Sequence, residues 1–234
     1  MQKKKQLYEG KAKKVYETDN PDLLIQEFKD DATAFDATKR GTIKTKGIIN
    51  NKISKILFEL LESKGIETHF VKQLDDRHML IKRVEIIPLE VTMRNTVAGG
   101  MAKLLGIEEG LKLKEPVLEY HYKDDSLHDP LINNYHAKAL KLVTDEELDF
   151  IEKKSFEINN ILKAFFDRKD LDLIDFKLEF GRHKGKILLA DEISPDTCRF
   201  WDKKTREKLD KDRFRRDLGR IEEAYQEVLR RVTS

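Results

Sequence analysis

The stretch from residue 171 to residue 202 constrains the fold more than any other part of the chain. Its first half alternates strictly between apolar and charged side chains. The apolar set is Ile174, Phe176, Leu178 and Phe180, and the charged set is Asp175, Lys177 and Glu179. Because successive side chains of a β-strand point to opposite faces, this pattern predicts a strand with a core face and a charged face. Charged side chains on that face are about 7 Å apart, so they line a charged site or face water.

A return strand is predicted after a tight connection at Lys184-Gly185-Lys186, where glycine can supply a positive φ. If the loop has three residues, Glu179 lies directly opposite Asp191, whereas a shift of one residue puts Asp191 on the apolar face. Two facing carboxylates repel each other unless a cation or proton separates them. Two carboxylates with room for water and phosphate oxygens are what Mg²⁺ takes in nucleotide sites.

The alternative for this hairpin is an ordinary polar outer face. The loop that follows, residues 194–199, ends in Arg199 beside the acidic strand ends. An arginine there favours an anionic ligand, because its guanidinium binds phosphate or carboxylate in a bidentate manner.

The bulk properties exclude several classes of protein. A chain of 234 residues fits one large domain or two tightly joined lobes. The 46 basic and 44 acidic residues leave a net charge of +2, which argues against a nucleic-acid-binding protein defined by its charge. The single cysteine, Cys198, excludes an internal disulfide framework and suits a reducing compartment. Without an apolar run of membrane-spanning length or a signal-peptide pattern, we expect a cytoplasmic protein that binds no membrane.

The N-terminal part predicts a small antiparallel sheet. Three short strands are expected in QLYEG, KKVYE and LLIQEF, and residues 30–36 are expected to form a polar bend. The turn of residues 10–13 combines a glycine with two lysines, but no helix follows it, so it is not a Walker A loop. It resembles the lid of a kinase-type nucleotide clamp, where lysines neutralise phosphates. A solvated hairpin tip is the alternative.

Helices are predicted where apolar residues recur at intervals of three and four. Such stripes cover residues 47–63 and 144–166, and the second begins with the capping box of Thr144 and Glu147. A third stripe, from Phe214 to Val228, predicts one long final helix capped by Asp210. Residues 94–100 precede a short helix that ends at Gly106, and an arginine beside small residues there suits a phosphate, with a simple glycine turn as the alternative.

The two lobes are expected to join near residues 82–87, where the backbone could hydrogen-bond an adenine. Pro88 marks an edge or a break in the strand that follows. Residues 120–130 are expected to form a polar and aromatic loop. The boundary predicts a β-rich lobe of residues 1–84 and an α+β lobe of residues 85–234.

Several segments together resemble the SAICAR synthetases, the phosphoribosylaminoimidazole-succinocarboxamide synthases of purine biosynthesis. They occur in family order over almost the whole chain: LYEGKAK, KGIINN, IIPLEVTMRNTVAGG, HDP, LIDFKLEFG and DEISPD-x-x-R-x-WD. The resemblance implies an α+β fold of two lobes, with a kinase-like or ATP-grasp-like nucleotide cleft between them. It also implies a homo-oligomer with ATP and Mg²⁺ as cofactors.

The activity that the resemblance implies is the ATP-dependent joining of L-aspartate to the carboxylate of CAIR, an imidazole ribonucleotide, giving SAICAR, ADP and phosphate. A carboxylate is a poor electrophile, so an acyl phosphate is the simplest activated form. Phosphoryl transfer then needs alignment and charge neutralisation more than covalent help.

The resemblance also implies the roles of individual residues. Nucleotide-binding positions are Lys11, Ala12, Lys13, Lys82, Val84, Glu179 and Asp191, of which Glu179 and Asp191 match the Mg²⁺ ligands. Positions for the ribonucleotide are Arg94, Gly100, Asp129 and Arg199, and Arg215 is added because it lies early enough in the final stripe to approach the Arg199 loop. Asp175 and Lys177 match the place where the reacting carboxylate and the incoming amine meet, with Lys177 as the cation that steadies the transferred phosphoryl group. The family commonly has serine where this chain has Gly100, which removes one hydroxyl contact.

Two other classes of function compete with this one. A small-molecule kinase would share the nucleotide cleft but transfer phosphate to a hydroxyl group. A nucleotide sensor or RNA-binding module would bind without turnover and would not need Asp175, Lys177, Glu179 and Asp191 together.

Overall fold

The computed structural model describes residues 2–34 and 38–234. Its N-terminal elements are β1 (Gln6–Glu9), β2 (Lys13–Glu17), β3 (Leu23–Phe28), β4 (Asp31–Ala34), β5 (Lys39–Thr42), α1 (Lys46–Ser63), β6 (Phe70–Gln73) and β7 (His78–Lys82). A five-stranded antiparallel sheet has the order β1-β2-β3-β7-β6, and β4 pairs with β5 as a separate ribbon. The three predicted N-terminal strands are therefore confirmed. Part of the predicted polar bend is the strand β4, and residues 35–36 of that bend lie outside the described residues.

The remaining elements are β8 (Glu85–Thr96), α2 (Gly99–Leu105), β9 (Lys112–Tyr122), β10 (Leu131–Ile132), α3 (Asn134–Ala139), α4 (Asp145–Asp167), β11 (Leu171–His183), β12 (Lys186–Ala190), β13 (Cys198–Asp202), α5 (Asp212–Arg215) and α6 (Ile221–Thr233). A six-stranded antiparallel sheet has the order β10-β9-β8-β11-β12, and β13 also pairs with β11. These two sheets with their helices confirm the predicted α+β class. Residues 120–122, predicted as loop, are the end of β9.

One hydrophobic core connects the two sheets. It takes Phe28 from β3, Phe58 from α1, Ile158 from α4 and Phe180 from β11, all at most 1% exposed. The capping box of α4 is present, since Thr144 Oγ1 accepts from the Glu147 amide at 3.2 Å and Glu147 Oε2 accepts from the Thr144 amide at 3.0 Å. Both long helices lie where their apolar spacing predicts them, because burying that stripe against a sheet stabilises an amphipathic helix.

Pro88 lies inside β8, between two neighbouring strands. The pairing of β8 with β11 shifts register between Ile86 and Glu90, so the ladder is interrupted where proline has no amide hydrogen to donate. The sequence allowed an edge or a break at this position. The structure has the break.

The predicted register of the β11–β12 hairpin is wrong by one residue. His183 pairs with Lys186, so the loop has two residues and Glu179 lies opposite Ala190. Lys184 and Gly185 both have positive φ, 49° and 80°, as a two-residue turn with the twist of its strands requires. Asp191 follows the end of the strand with φ 64°, so its side chain is placed by this turn and not by the ladder.

The strict alternation of β11 also fails at one position. The pairing of β11 with β13 shifts between Leu173 and Asp175, so a bulge interrupts the strand there. Ile174 consequently packs with Ala98 and Trp201 in a small separate cluster, while Phe176 joins the main core.

The single long final helix is also wrong. The structure has the short α5 and then α6, separated by residues 216–220. Asp217, Gly219 and Arg220 have φ values of 54°, 67° and 50°. Left-handed residues end a helix, and Gly219 interrupts the apolar stripe at that point.

No helix of the described residues is long and apolar enough to cross a membrane. Cys198 is a buried free thiol whose pKa is raised by burial. A thiol held protonated is a poor nucleophile, so the structure gives this cysteine a packing role.

Candidate active site

A cleft of about 570 Å³ lies between the five-stranded sheet and the six-stranded sheet. The first sheet contributes the turn of residues 10–13 and the segment of residues 81–84. The second contributes the charged face of β11 and the residues that follow β12. Nine of the residues predicted for the site line this one cleft: Lys11, Ala12, Lys13, Lys82, Val84, Asp129, Lys177, Glu179 and Asp191.

One end of the cleft is apolar. Its walls include Val15, Leu24, Ile81 and Val84, next to the segment that connects the sheets. The ammonium group of Lys82 is not free in this apolar space, because its Nζ donates a hydrogen bond to the Thr68 carbonyl oxygen at 2.8 Å. The apolar end suits a flat ring bound beside backbone groups.

The other end of the cleft carries a network of lysines and carboxylates. Glu179 in β11 is directly opposite Glu90 in β8, and Lys177 Nζ lies 3.0 Å from a carboxylate oxygen of each. Lys123 Nζ binds the same Glu179 oxygen at 2.8 Å. Two facing carboxylates are thus separated by cations, as the repulsion between them requires.

Lys13 crosses from the lysine-bearing turn to the acidic end of β12. Its Nζ forms an ion pair with Asp191 and lies 3.0 Å from Glu192 Oε1. Burial lowers the pKa of Lys13, but the charges of Asp191 and Glu192 outweigh burial and raise it overall. Burial acts to raise the pKa of Asp191, and Lys13 and Lys177 outweigh it, so this pKa lies well below its usual range.

The pKa values of Lys177 and Lys123 are raised in the same way. Burial opposes the charge of each lysine, and the charge of Glu179 is the largest contribution in favour of it. Lys13, Lys123, Lys177 and Asp191 are therefore ionised near neutral pH. Asp191 can exchange a lysine for a metal ion, and each of these lysines can exchange a carboxylate for a phosphate, without a change of its own protonation.

The donor set for a metal is incomplete within the chain. Residues 2–34 and 38–234 contain no group of three or more histidine, cysteine, aspartate or glutamate side chains placed to hold a metal ion. Glu179 and Asp191 line the same cleft and offer hard oxygen donors. Such a pair fits Mg²⁺ when nucleotide phosphates and water supply the other ligands.

The turn of residues 10–13 also contacts the opposite rim of the cleft. Lys11 Nζ binds Asp125 Oδ1 at 2.8 Å, in a short 3₁₀ turn spanning Asp125–Leu127. Asp129, a predicted substrate contact, accepts from the Asp124 amide at 2.9 Å through Oδ1. The contact joins the turn to the opposite rim, but both side chains are exposed, so the ion pair contributes little stability.

A second cluster, the arginine cluster, lies at the other end of the charged face of β11. It is defined here by Arg94, Asp175, Arg199, Asp212 and Arg215. Asp175 is directly opposite Arg94 on one neighbouring strand and Arg199 on the other. Its carboxylate accepts from Arg94 Nη1 at 2.7 Å and from Arg199 Nη1 at 2.8 Å. The sheet topology therefore brings together residues that are far apart in sequence.

Asp212 completes the arginine cluster from α5. It accepts from Arg199 Nε at 3.0 Å and from Arg215 Nη1 at 2.6 Å. Burial acts to raise the pKa of Asp212, but the charges of Arg199 and Arg215 outweigh it and lower the pKa to about 2. One carboxylate thus orients both guanidinium groups.

Two glycines let the chain approach this cluster closely. Gly99 has φ 55°, and a Cβ on it would lie 2.4 Å from Arg199 Nη2. A Cβ on Gly100 would lie 3.8 Å from Arg94 Nη2, in ordinary contact. The structure therefore brings the predicted Arg94, Gly100, Arg199 and Arg215 together, whereas Asp129 lies at the cleft.

Sequence reasoning missed Glu90, Lys123, Glu192 and Asp212. Glu90 could have been predicted from the sequence, because the polar residues Glu90, Thr92 and Arg94 alternate along β8. In the structure they pair with the charged residues of β11. Nothing in the local sequence marks the other three, which reach the site only through tertiary structure.

Comparison with known proteins gives consistent matches. The SAICAR synthetase family model matches residues 6–232. A phosphoribosylaminoimidazole-succinocarboxamide synthase from Caldanaerobacter subterraneus subsp. tengcongensis is 62% identical over 232 residues, covering 99% of each chain.

Two solved structures are also similar. The phosphoribosylaminoimidazole-succinocarboxamide synthase from Ehrlichia chaffeensis has a TM-score of 0.96 at 45% identity and covers 98% of each chain. A SAICAR synthetase in complex with ADP has a TM-score of 0.94 at 52% identity and covers 97% of each chain. The chain therefore belongs to the SAICAR synthetase family.

Proposed function

We propose that this protein is the ATP-dependent ligase that joins L-aspartate to the carboxylate of CAIR and releases SAICAR, ADP and phosphate. The observation that carries the proposal is the charged face of β11. Lys177 and Glu179 belong to the cleft, and Asp175 belongs to the arginine cluster. Alternate residues on one face of a strand are about 7 Å apart. The two proposed anion-binding regions are therefore neighbours along β11, separated by about the distance from Asp175 to Lys177.

ATP occupies the cleft in this proposal. The adenine lies at the apolar end beside residues 82–84, and the phosphates lie under the lysine-bearing turn, near Lys11 and Lys13. Two facts support this arrangement: a solved relative is a complex with ADP, and the charged groups of the cleft already alternate in sign. Glu179 and Asp191 would hold Mg²⁺, which supplies charge neutralisation at the phosphates.

The 5′-phosphate of CAIR is assigned to the arginine cluster. Arg94 and Arg199 present planar groups suited to bidentate contact with phosphate, and Arg215 adds a third. The backbone beside Gly99 and Gly100 has no side chain in the way of the bound group. Asp129 would contact the ribose or imidazole from the cleft side.

The chemistry follows from this placement. The γ-phosphoryl group of ATP passes to the carboxylate oxygen of CAIR, giving an acyl phosphate and ADP. The amine of aspartate then attacks the acyl carbon, the carbon–oxygen bond breaks, and the phosphate leaves with the proton that the amine loses. Lys177, already 3.0 Å from two carboxylates, is placed to stabilise charge on the transferred group.

The role of Asp175 at the incoming amine stays a prediction. Its carboxylate already accepts hydrogen bonds from two arginines. An amine would have to share this buried carboxylate with both guanidinium groups. Orienting Arg94 and Arg199 is the role that its contacts support. The homo-oligomeric state, the cytoplasmic location and the boundary between residues 84 and 85 also stay predictions.

An omission experiment tests the proposed function. The protein is incubated with ATP, Mg²⁺, CAIR and L-aspartate, and each component is left out in turn. We expect continuous ADP release only with the full set, and a product whose mass equals CAIR plus aspartate minus water. Full turnover without aspartate, with a phosphorylated hydroxyl compound as product, would instead identify a kinase.

A further inference from the structure

Lys211 lines the cleft at the side that faces the arginine cluster. It immediately precedes α5, and its carbonyl accepts from the Arg215 amide at 3.0 Å, one turn further on. Asp196 and Thr197 line the cleft beside it. Among the described residues, Lys211 lines the cleft whereas Arg199 and Arg215 do not. Lys211 thus belongs to the cleft lining and is adjacent in sequence to Asp212 of the arginine cluster.

Six lysines line the cleft, and five of them have bonded partners. Lys11 binds Asp125, Lys13 binds Asp191, Lys82 binds the Thr68 carbonyl, and Lys123 and Lys177 both bind Glu179. The Lys211 amine has no hydrogen bond or ion pair with any residue in the ranges 2–34 and 38–234. It is thus the exception among the cleft lysines described.

The acids near Lys211 are engaged elsewhere. Asp196 accepts from Lys46 Nζ at 2.6 Å and from the Tyr225 hydroxyl at 2.7 Å. Glu192 accepts from the Ser194 hydroxyl at 2.7 Å and pairs with Lys13. Both carboxylates therefore already have bonded partners other than Lys211.

The surroundings of Lys211 disfavour its charge. Burial is the largest cause that lowers its pKa, and the charge of Asp196 only partly opposes this effect. Arg215 and Lys46 lower the pKa further. A partly buried amine among cations, without a bonded acid, is the environment that an incoming anion stabilises.

We propose that Lys211 binds a carboxylate of the amino-acid substrate. This inference rests on the proposed function, which already assigns the other anions. The phosphates of ATP meet Lys11, Lys13, Lys123 and Lys177, and the phosphate of CAIR meets the arginine cluster. Apart from the CAIR carboxylate, which the proposed function places against the transferred phosphoryl group, the carboxylates of aspartate are the anionic groups left without a cation. Lys211 lies where they must come if the amine is to reach an acyl group between the two regions.

Three variants test this role in steady-state assays that vary one substrate at a time. Lys211→Met removes the charge but keeps the length, and Lys211→Arg restores a cation. Lys204→Met is the matched control, because Lys204 is an exposed lysine in the same part of the chain. Losing a charge-assisted contact should raise KM for aspartate about 10- to 100-fold. KM for ATP and for CAIR should change less than about threefold, in line with the small effects of sites that share no partner.

The outcomes separate this inference from the function on which it rests. If the wild-type protein fails to make the aspartate adduct, the proposed function is wrong. If the wild type is active and Lys211→Met leaves KM for aspartate unchanged, or raises KM for CAIR instead, the assignment of Lys211 is wrong. Selective recovery of aspartate binding in Lys211→Arg, with an unchanged melting temperature, supports it even if Lys211→Met folds poorly.

Discussion

The cleft and the arginine cluster both carry cations suited to anionic ligands, but they are built differently. In the cleft, lysines from separate elements hold the carboxylates, and Lys123 and Lys177 keep 36% and 28% of their side chains exposed. In the arginine cluster, Arg94 and Arg199 are 7% and 17% exposed, and each donates to a buried aspartate. The first region can exchange its partners, whereas the second is fixed before a ligand arrives.

The difference follows from the side chains. A lysine is a point charge on a flexible stem, so it can move from a carboxylate to a phosphate at little cost. An arginine presents several donors in a plane, so one face can be held by Asp175 or Asp212 while other donors remain for a ligand. The cleft is therefore suited to changing charge during a reaction, and the arginine cluster to holding one group still.

The largest expected effect comes from removing a carboxylate of the cleft. Asp191→Asn or Glu179→Gln keeps the shape but removes the charge that would hold Mg²⁺ and that pairs with Lys13, Lys123 and Lys177. We expect kcat to fall at least about 100-fold. The measurement is ADP release at saturating substrates, with circular dichroism to show that the fold is intact.

A matched control for these variants is Glu67→Gln. Glu67 is an exposed carboxylate that pairs with Lys186 at 2.8 Å, and it does not line the cleft. Its activity should stay within about twofold of wild type, because exposed ion pairs contribute little. Wild-type turnover in Asp191→Asn would remove the metal assignment.

The arginine cluster should respond in binding more than in turnover. Arg199→Ala should raise KM for CAIR about 10- to 100-fold, since a charge-assisted contact is lost. Arg199→Lys should recover little of this, because lysine cannot reach both Asp175 and Asp212 with a planar group. An unchanged KM for CAIR in the alanine variant would contradict the assignment of the phosphate site.

A glycine substitution sharpens the claim that the arginine cluster is fixed. In Gly99→Ala, the new Cβ would meet Arg199 Nη2 at 2.4 Å, and Asp175 and Asp212 prevent the guanidinium from moving freely. We expect KM for CAIR to rise roughly tenfold. Gly106→Ala is the control: it has a similar φ of 64° but no atom within 4 Å of its Cβ position, so it carries the backbone strain alone. Equal effects in both variants would show that strain, not contact with Arg199, is responsible.

The sequence predicted much of the fold because hydrophobic spacing is a local property. The apolar stripes of α1 and α4 and the three N-terminal strands needed no tertiary information. The hairpin register did need it. The two-residue loop requires positive φ at Lys184 as well as at Gly185, and a lysine gives no sequence signal for that conformation. In contrast, Gly219 is a sequence indication that the helix is interrupted between α5 and α6. The apolar spacing from Phe214 to Val228 continues across this glycine and predicted a single helix instead.

The site was predictable only in part, for the same reason. The charged face of β11 could be read from the alternation, and Glu90 could have been found in β8 by the same period. Asp191 reaches the cleft although its predicted pairing was wrong, because a left-handed residue after β12 turns the chain. Lys123, Asp212 and Lys211 depend on how β9 and α5 pack, and no local pattern carries that information.

The smallest expected effect is on stability, in the carboxyl group beneath the arginine cluster. Asp210 accepts from the Phe200 amide at 2.9 Å and the Asp212 amide at 2.7 Å, and burial together with the charge of Asp212 raises its pKa to about 7. Because its folded pKa exceeds the unfolded value, the stabilisation is complete below the unfolded pKa and is lost as pH rises through about 7.

Asp210→Asn cannot ionise, so its melting temperature relative to wild type should rise by a few degrees, on the order of 3 °C, between pH 5 and pH 8. Other groups with shifted pKa values, such as His69, whose pKa burial lowers to about 3, titrate in both the wild type and Asp210→Asn. Their effects therefore cancel in the difference between the two melting temperatures. A melting-temperature difference that does not vary with pH would show that Asp210 is ionised throughout, so that Asp212 would have a second charged carboxylate beside it.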